Sequence, residues 1–496
     1  VPESASDNAA DALRVAADIR PLRAPRDAGD RCPGALRLHQ AADGPLARVR
    51  LPGGLLTLDQ VDALANAAIE TAQPQLHLTA RGNTELRGVR DPEALTARLD
   101  AAGLLPAASH ERVRNVVISP MAGLDKEGHW PAGPAAAELA DAPQIVRELD
   151  AAIVAEPRLA GLSGRFLFGI DDGRGDILAL QPDVAAVLLD EDQPADGGDR
   201  ADGGVAPLAR ILLGAGGDGP TVRLPDVPAA LVAAALAFLE VADEQTAGAA
   251  WRVDDLPDRG AAAAALRAAV ERAAPTYDAT APTPDPAPGV GPPPGLHFNP
   301  HGSVTVRVTL PLGSASAEAW FTAAECARAG DGLVRTTPWR GLVIAGLSPD
   351  DAVDAFGRFD TLGLAVDPGD PWVRLGACTG LPGCASAIAD VRADATRLHA
   401  QIVRSLLADG TQEELLGERE EHLRQLPLYV SGCERRCGHP RTDHVEAVAT
   451  VPDDGGAPVY QVRRTGSPDP GPTPLPPKVI LCGEIHSSFS ERRRKV

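Results

Sequence analysis

Leu46-Ala47-Arg48-Val49-Arg50-Leu51-Pro52-Gly53-Gly54 and, more than 200 residues later, Val304-Thr305-Val306-Arg307-Val308-Thr309-Leu310-Pro311-Leu312-Gly313 are the two stretches that decide the fold. Each alternates as a half-buried strand does and then breaks at a Pro-x-Gly turn. After the first, Thr57 caps a helix whose apolar positions Leu58, Val61, Leu64, Ala65 and Ala68 follow the helical period. Leu76-His77-Leu78-Thr79 and Glu85-Leu86-Arg87-Gly88-Val89 add two strands around Arg81-Gly82-Asn83. After the second, Ser314 or Ser316 caps a helix through Trp320 and Ala324, and Leu333-Val334-Arg335 and Gly341-Leu342-Val343-Ile344 return as strands. A strand-helix-strand-strand unit used twice predicts an α+β protein, internally duplicated, with pseudo-twofold symmetry.

The rest of the chain arranges itself around these units. Residues 1–30 read as a frayed leader, 31–105 as the first ferredoxin-like repeat, and 106–274 as an α/β domain carrying an acidic, Gly-rich loop from Asp190 to Val205. Residues 275–295 hold eight prolines and read as a semi-extended linker. A second repeat at 296–370, a cysteine-bearing domain at 371–465 and an unstructured tail at 466–496 complete the division.

Composition narrows the function classes. The 496 residues carry a formal net charge of −21, which argues against nucleic acid or an anionic membrane as the main partner. The most apolar stretch, Ala229 to Leu239, stops at Glu240, short of the ~18 residues of a membrane span. No apolar signal region opens the sequence, and a soluble cytoplasmic protein is the expectation. Of the 47 basic residues only Lys126, Lys478 and Lys495 are lysine, so most arginines reflect composition and sit on the surface. Gly214-Ala215-Gly216-Gly217-Asp218-Gly219 has dinucleotide-type glycine spacing, but Pro220 and a strand follow it where a helix is required, so it reads as a hairpin.

Four of the seven cysteines fall in pairs, Cys378-x5-Cys384 and Cys433-x3-Cys437, flanked by glycines. Glycine lets backbone approach an inorganic core, and a long helix from Ala385 to Leu407 would aim its positive end at an anionic cluster. Cys433 and Cys437 share a face if they lie on one helical turn. An iron–sulfur cluster fits this spacing best, with structural zinc and unconnected buried thiols as the open alternatives. Cys32, Cys326 and Cys482 lack partners in the sequence pattern.

With two ferredoxin-like repeats, these cysteine pairs resemble the sulfite/nitrite reductase family over residues 31 to 465. The resemblance implies a three-domain, pseudo-twofold fold with a [4Fe–4S] cluster on Cys378, Cys384, Cys433 and Cys437 beside a sirohaem site. Arg31-Cys32-Pro33-Gly34, Leu76 to Asn83, Arg114-Asn115-Val116-Val117 and Thr379 to Cys384 are similar to the precorrin-3B synthases of aerobic cobalamin biosynthesis. That branch implies an oxidoreductase: an O2-dependent monooxygenase hydroxylating precorrin-3A at C20 with γ-lactone formation. Electrons would come from NADH directly or through a reductase. A sirohaem-dependent sulfite or nitrite reductase and a zinc-stabilised, non-enzymatic binding protein are the alternatives.

A precorrin is a polycarboxylate, and arginine forks grip carboxylates. The resemblance places Arg81 and Arg114 at tetrapyrrole-binding positions, with Arg87 as a further candidate. Arg165 aligns with the first of two basic residues that reductases use to protonate their substrate; the second position is Leu167, which lacks a proton to give. No catalytic acid or base is nominated. Activation of O2 raises the expectation of a second, mononuclear non-haem iron. His297 with His301, separated by Pro300, and His439 with His444 beside the cysteine loop are its candidate ligands.

Overall fold

A computed structural model describes residues 30, 32–125, 127–130, 141–190, 207–214, 218–287, 291–408, 426–440, 443–452, 456, 458–465 and 473–475. The leader before Asp30, the loop at 191–206, most of the tail and Cys482 lie outside the described residues.

The first repeat runs β1 (His39–Ala41), β2 (Gly44–Val49), β3 (Leu55–Thr57), α1 (Leu58–Thr71), β4 (Gln75–Leu78), β5 (Thr84–Leu86) and α2 (Pro92–Ala101). Thr57 starts α1 as expected: its hydroxyl accepts from Gln60 N at 3.3 Å while the Gln60 side chain accepts from Thr57 N at 3.1 Å. An α/β domain follows, with β6 (Val116–Ile118), α3 (Ala142–Ala155), β7 (Phe168–Asp171), β8 (Val184–Leu188), β9 (Leu208–Leu213), β10 (Asp218–Arg223), α4 (Val227–Thr246) and α5 (Arg259–Ala273). Antiparallel β9 and β10 flank the glycine run, and its described residues, Gly214, Asp218 and Gly219, start no helix. Residues Leu224–Thr246 are long and apolar enough to cross a membrane by composition, which amends the sequence expectation. Here that helix is a core element, with Leu231, Ala234 and Phe238 fully buried.

The second repeat runs β11 (Gly295–Phe298), β12 (Val304–Thr309), β13 (Ser314–Ser316), α6 (Ala317–Arg328), β14 (Leu333–Thr336), β15 (Gly341–Leu347) and α7 (Pro349–Thr361). Ser316, not Ser314, caps α6. The repeat sheets are ordered β1-β2-β5-β4-β13 and β11-β12-β15-β14-β3, so each repeat donates the strand after its Pro-x-Gly turn to the other. Val49, Leu64 and Leu76 therefore share one core with Val306, Trp320 and Ile344. Burying both repeats in a common core makes either one incomplete alone.

The last domain comprises β16 (Leu375–Ala377), α8 (Val391–Ala408), β17 (Leu428–Ser431), β18 (Val445–Thr450), β19 (Val459–Arg464) and β20 (Thr473–Leu475). Its sheet, β16-β17-β18-β19-β20, has two parallel pairings followed by two antiparallel ones. The sheet β6-β7-β8-β9-β10 has the same sequence of pairings. The duplication thus covers whole halves of the molecule. Two boundaries need correction. Thr473–Leu475, placed in an unstructured tail by composition, pairs with β19. Helix α8 starts at Val391, not at Ala385, because Leu381 N donates to Ala389 O and Ile388 N to Gly432 O, both at 2.9 Å, and these bonds hold the intervening chain as a loop.

Candidate functional site

Both cysteine loops leave the C-terminal ends of adjacent parallel strands, β16 and β17, which brings two distant sequence segments side by side. Cys378 N donates to Val430 O at 3.0 Å, and Gly432 N donates to the Cys378 sulfur at 3.2 Å. Gly380 sits at φ +63°, and a Cβ there would lie 2.6 Å from Val391 Cγ2, so only glycine fits this turn. Cys433 and Cys437 occupy a tight turn closed by Arg436 N to Cys433 O at 3.1 Å, not a helical turn. Tyr429 Oη donates to Cys437 O at 2.7 Å.

The four thiols lie close enough to influence one another. Burial raises the Cys437 thiol pKa, and Cys378, Cys433 and Cys384 each raise it further through space. Cys378 is raised by burial too, with Cys384 and Cys433 adding to it and the Gly432 amide opposing. As thiolates, four sulfurs next to polar backbone would form a donor set that favours a cationic centre. Among the described residues, the three potential ligand side chains whose donor atoms gather within 4.8 Å are Asp171, Asp172 and Asp176; no three of the cysteine sulfurs lie that close together. Four sulfurs on one zinc would be roughly 3.8 Å apart given Zn–S bonds of about 2.3 Å. That spacing is not preformed among the described residues.

A cleft of about 1350 Å³, its open mouth included, lies beside these loops. Its walls come from every part of the fold: Ala80 and Arg81 from the first repeat, Leu167 and Leu180 from the α/β domain, Arg307 and Arg340 from the second repeat, and Tyr429 and Gly438 from the cysteine domain. Pro292 and Pro294 also line it, so the Pro-rich linker forms part of the wall. Trp339, Trp372 and Val373 supply apolar surface.

The arginines named from sequence separate sharply. Arg81 lines the cleft and is held by donating to Gly164 O at 3.3 Å and Arg165 O at 2.9 Å. Burial, then Arg252, brings its pKa down to about 10. Arg114 does not reach the cleft: its side chain is buried against Asp150, at 2.7 and 2.6 Å, and against Leu104 O. Arg87 is buried too, bridging Asp43 at 2.8 Å and Gly383 O at 2.9 Å, so it ties the first repeat to the cysteine loop. Arg165 is exposed and stacks over Trp251 at 4.4 Å, whereas Leu167 faces the cleft.

The histidine pairs divide as well. His297 bonds Pro293 O at 2.9 Å on β11, and His301 is exposed in the following turn. His439 lines the cleft and its ring lies 5.8 Å from that of His444. His444 Nε2 is 4.0 Å from the buried Glu446 carboxylate. Arg307, Arg340 and Arg374 in the cleft wall were not singled out by sequence.

Residues 39–101 and 298–360 each match the nitrite/sulfite reductase ferredoxin-like half domain. The chain thus carries two copies of that half domain, one in each repeat. Among curated relatives it is 27% identical to a precorrin-3B synthase of Sinorhizobium sp over 425 residues, 84% of this chain and 80% of the relative. It is 25% identical to sulfite reductase [ferredoxin] 2 of Mycolicibacterium paratuberculosis over 438 residues, 85% of this chain and 73% of the relative. The structure of the Mycobacterium tuberculosis NirA protein superposes with a TM-score of 0.67 at 21% identity, covering 90% of this chain and 80% of that one, and shares the fold.

Proposed function

We propose that this chain is an oxidoreductase of the precorrin-3B synthase type, acting on a polycarboxylic tetrapyrrole held in the cleft. The observation that carries the proposal is Leu167 in the cleft wall alongside Arg81. The reductase chemistry of the superfamily calls for a proton donor at the Leu167 position, and an alkyl side chain gives none. Cationic walls with apolar Trp339 and Trp372 suit a macrocycle that is itself the substrate.

Cys378, Cys384, Cys433 and Cys437 are the residues that would hold a [4Fe–4S] cluster, which supplies one-electron transfer when bound. Neither histidine pair is assembled for the expected mononuclear non-haem iron: His297 is engaged by Pro293 O, His444 is buried with its Nδ1 against Thr465, and Glu446 is held by Arg436 and Arg463. The chain's own residues bind and orient: Arg81 meets a carboxylate edge, while Trp339, Trp372 and Leu167 exclude water from a macrocycle face. The reaction proposed is hydroxylation of precorrin-3A at C20 with closure of an acetate side chain to the γ-lactone. It consumes O2 and a reductant, NADH directly or through a reductase.

Aerobic incubation with precorrin-3A and reductant under labelled oxygen tests this. Incorporation of one labelled oxygen into a lactone product is the expected result. A sirohaem spectrum with sulfite or nitrite turnover and no oxygenated product would instead assign the chain to the reductases.

A further inference from the structure

Strand β12 is buried along its whole length, and its alternation sends Val304, Val306 and Val308 into the shared core. Thr305, Arg307 and Thr309 therefore occupy the opposite face, where Arg307 and Thr309 line the cleft. Arg307 is 1% exposed, and its Nε and Nη1 are buried without a hydrogen-bond partner. No carboxylate lies within ion-pair distance of it among the described residues. Burial lowers its pKa to about 9, with Asp176 attracting it and Arg174 repelling it.

The duplication supplies an internal control. Counted back from the Pro-x-Gly turns, Arg307 on β12 corresponds to Arg48 on β2. Arg48 pairs in register with Glu85 on β5 and forms a salt bridge with it at 2.5 Å. The strand equivalent to β5 is β15, and Arg307 stands in register with Val343 there. One repeat keeps both charges; the other keeps the cation and has valine in place of its counterion. Asp176 does not substitute. Its Oδ1 accepts from Ser119 Oγ at 2.6 Å, its Oδ2 is buried without a partner, and the carboxyl, pushed up to about 7 by burial beside Asp171 and Asp172, makes no ion pair with Arg307 among the described residues. A buried guanidinium with open donors is costly unless an anion completes it.

We propose that Arg307 is an anion-binding residue of the cleft, taking a carboxylate of the bound ligand as the counterion its own strand lacks. With the tetrapyrrole proposal on which it rests, this puts carboxylate-binding cations on two walls, Arg81 from the first repeat and Arg307 from the second.

Titrating wild type, Arg307→Met and Arg307→Lys with uroporphyrin III, a polycarboxylate porphyrin, and measuring each ligand-free Tm test the assignment. The methionine variant should bind at least about tenfold more weakly, the scale of one lost charge-assisted contact. The lysine variant should recover part of that loss. Ligand-free Arg307→Met should melt a few degrees above wild type, because it no longer buries an unpaired charge. Equal affinities in wild type and Arg307→Met would overturn the proposal, as would a lower ligand-free Tm in the variant. If wild type does not bind the porphyrin, the tetrapyrrole reading fails on its own, and citrate then decides the role of Arg307. A citrate-dependent rise in Tm confined to wild type upholds the anion site, and its absence overturns it.

Discussion

Arg87 on the first repeat donates its Nη2 to the carbonyl of Gly383, 2.9 Å away and next to Cys384 on the other half of the molecule. The same guanidinium grips Asp43 with Nε and Nη2, both at 2.8 Å. The cysteine loop is therefore pinned by a cation that is itself oriented by a carboxylate. Arg87→Ala would leave Asp43 without its partner and Gly383 without its tether. The expected outcome is a stability loss of about 3–5 kcal/mol and faster bleaching of the cluster in air. Denaturant unfolding and visible absorption check both. Unchanged bleaching with lowered stability would confine Arg87 to a structural role.

Cysteine substitutions bear on the ligand set. Cys384→Ser and Cys437→Ser should each lower bound iron and sulfide, measured on anaerobically purified protein. Cys326→Ser should not, because that thiol is buried in α6 within the repeat core. Iron content unaffected at both ligand positions would refute this ligand set.

Arg81 and Arg114 should separate in their effects. Arg81→Ala is expected to weaken tetrapyrrole binding at least about tenfold, since its side chain reaches the cleft, with a stability loss of about 1–2 kcal/mol from the lost bonds to Gly164 O and Arg165 O. Arg114→Ala should leave binding intact and cost about 3–5 kcal/mol, because Asp150 loses its bidentate partner. Fluorescence titration and urea unfolding of the two variants distinguish these outcomes.

Asp176 gives a pH dependence. Burial first, then Asp171 and Asp172, push its pKa up to about 7 from an ordinary 3.8. A carboxyl raised on folding binds its proton more tightly in the native state, so its contribution to stability is fully present below the unfolded value. That contribution is lost as pH rises toward and through about 7. Asp176→Asn keeps the acceptor for Ser119 and removes the titration. Its Tm should fall less than that of wild type between about pH 5 and 8. Parallel Tm profiles would contradict the assignment.

Much of this fold is legible in sequence because its signals are local. The Pro-x-Gly turns, the Thr57 and Ser316 caps and the alternation of β2 and β12 are all contained in short windows. The cysteine pairs are legible because spacing and flanking glycines constrain what they can bind. Strand exchange is not legible: β3 and β13 are three residues each, and nothing in them names a partner in the other repeat. Arg114 misleads because a short phrase resembling the family does not show that Asp150, a helix away, captures the side chain. Arg307 escapes notice because it occupies the polar phase of an ordinary alternating strand, and only tertiary packing buries that face. The one available signal is comparative, the replacement of a Glu85 equivalent by Val343.

The most direct test of a tetrapyrrole cleft adjoining an iron–sulfur site is the paramagnetic resonance spectrum of the dithionite-reduced protein, recorded without and with precorrin-3A. A reduced [4Fe–4S] signal whose g-values shift at one equivalent of tetrapyrrole is the expected result. Absence of any cluster signal in iron-replete protein, or a cluster signal indifferent to saturating tetrapyrrole, would contradict it.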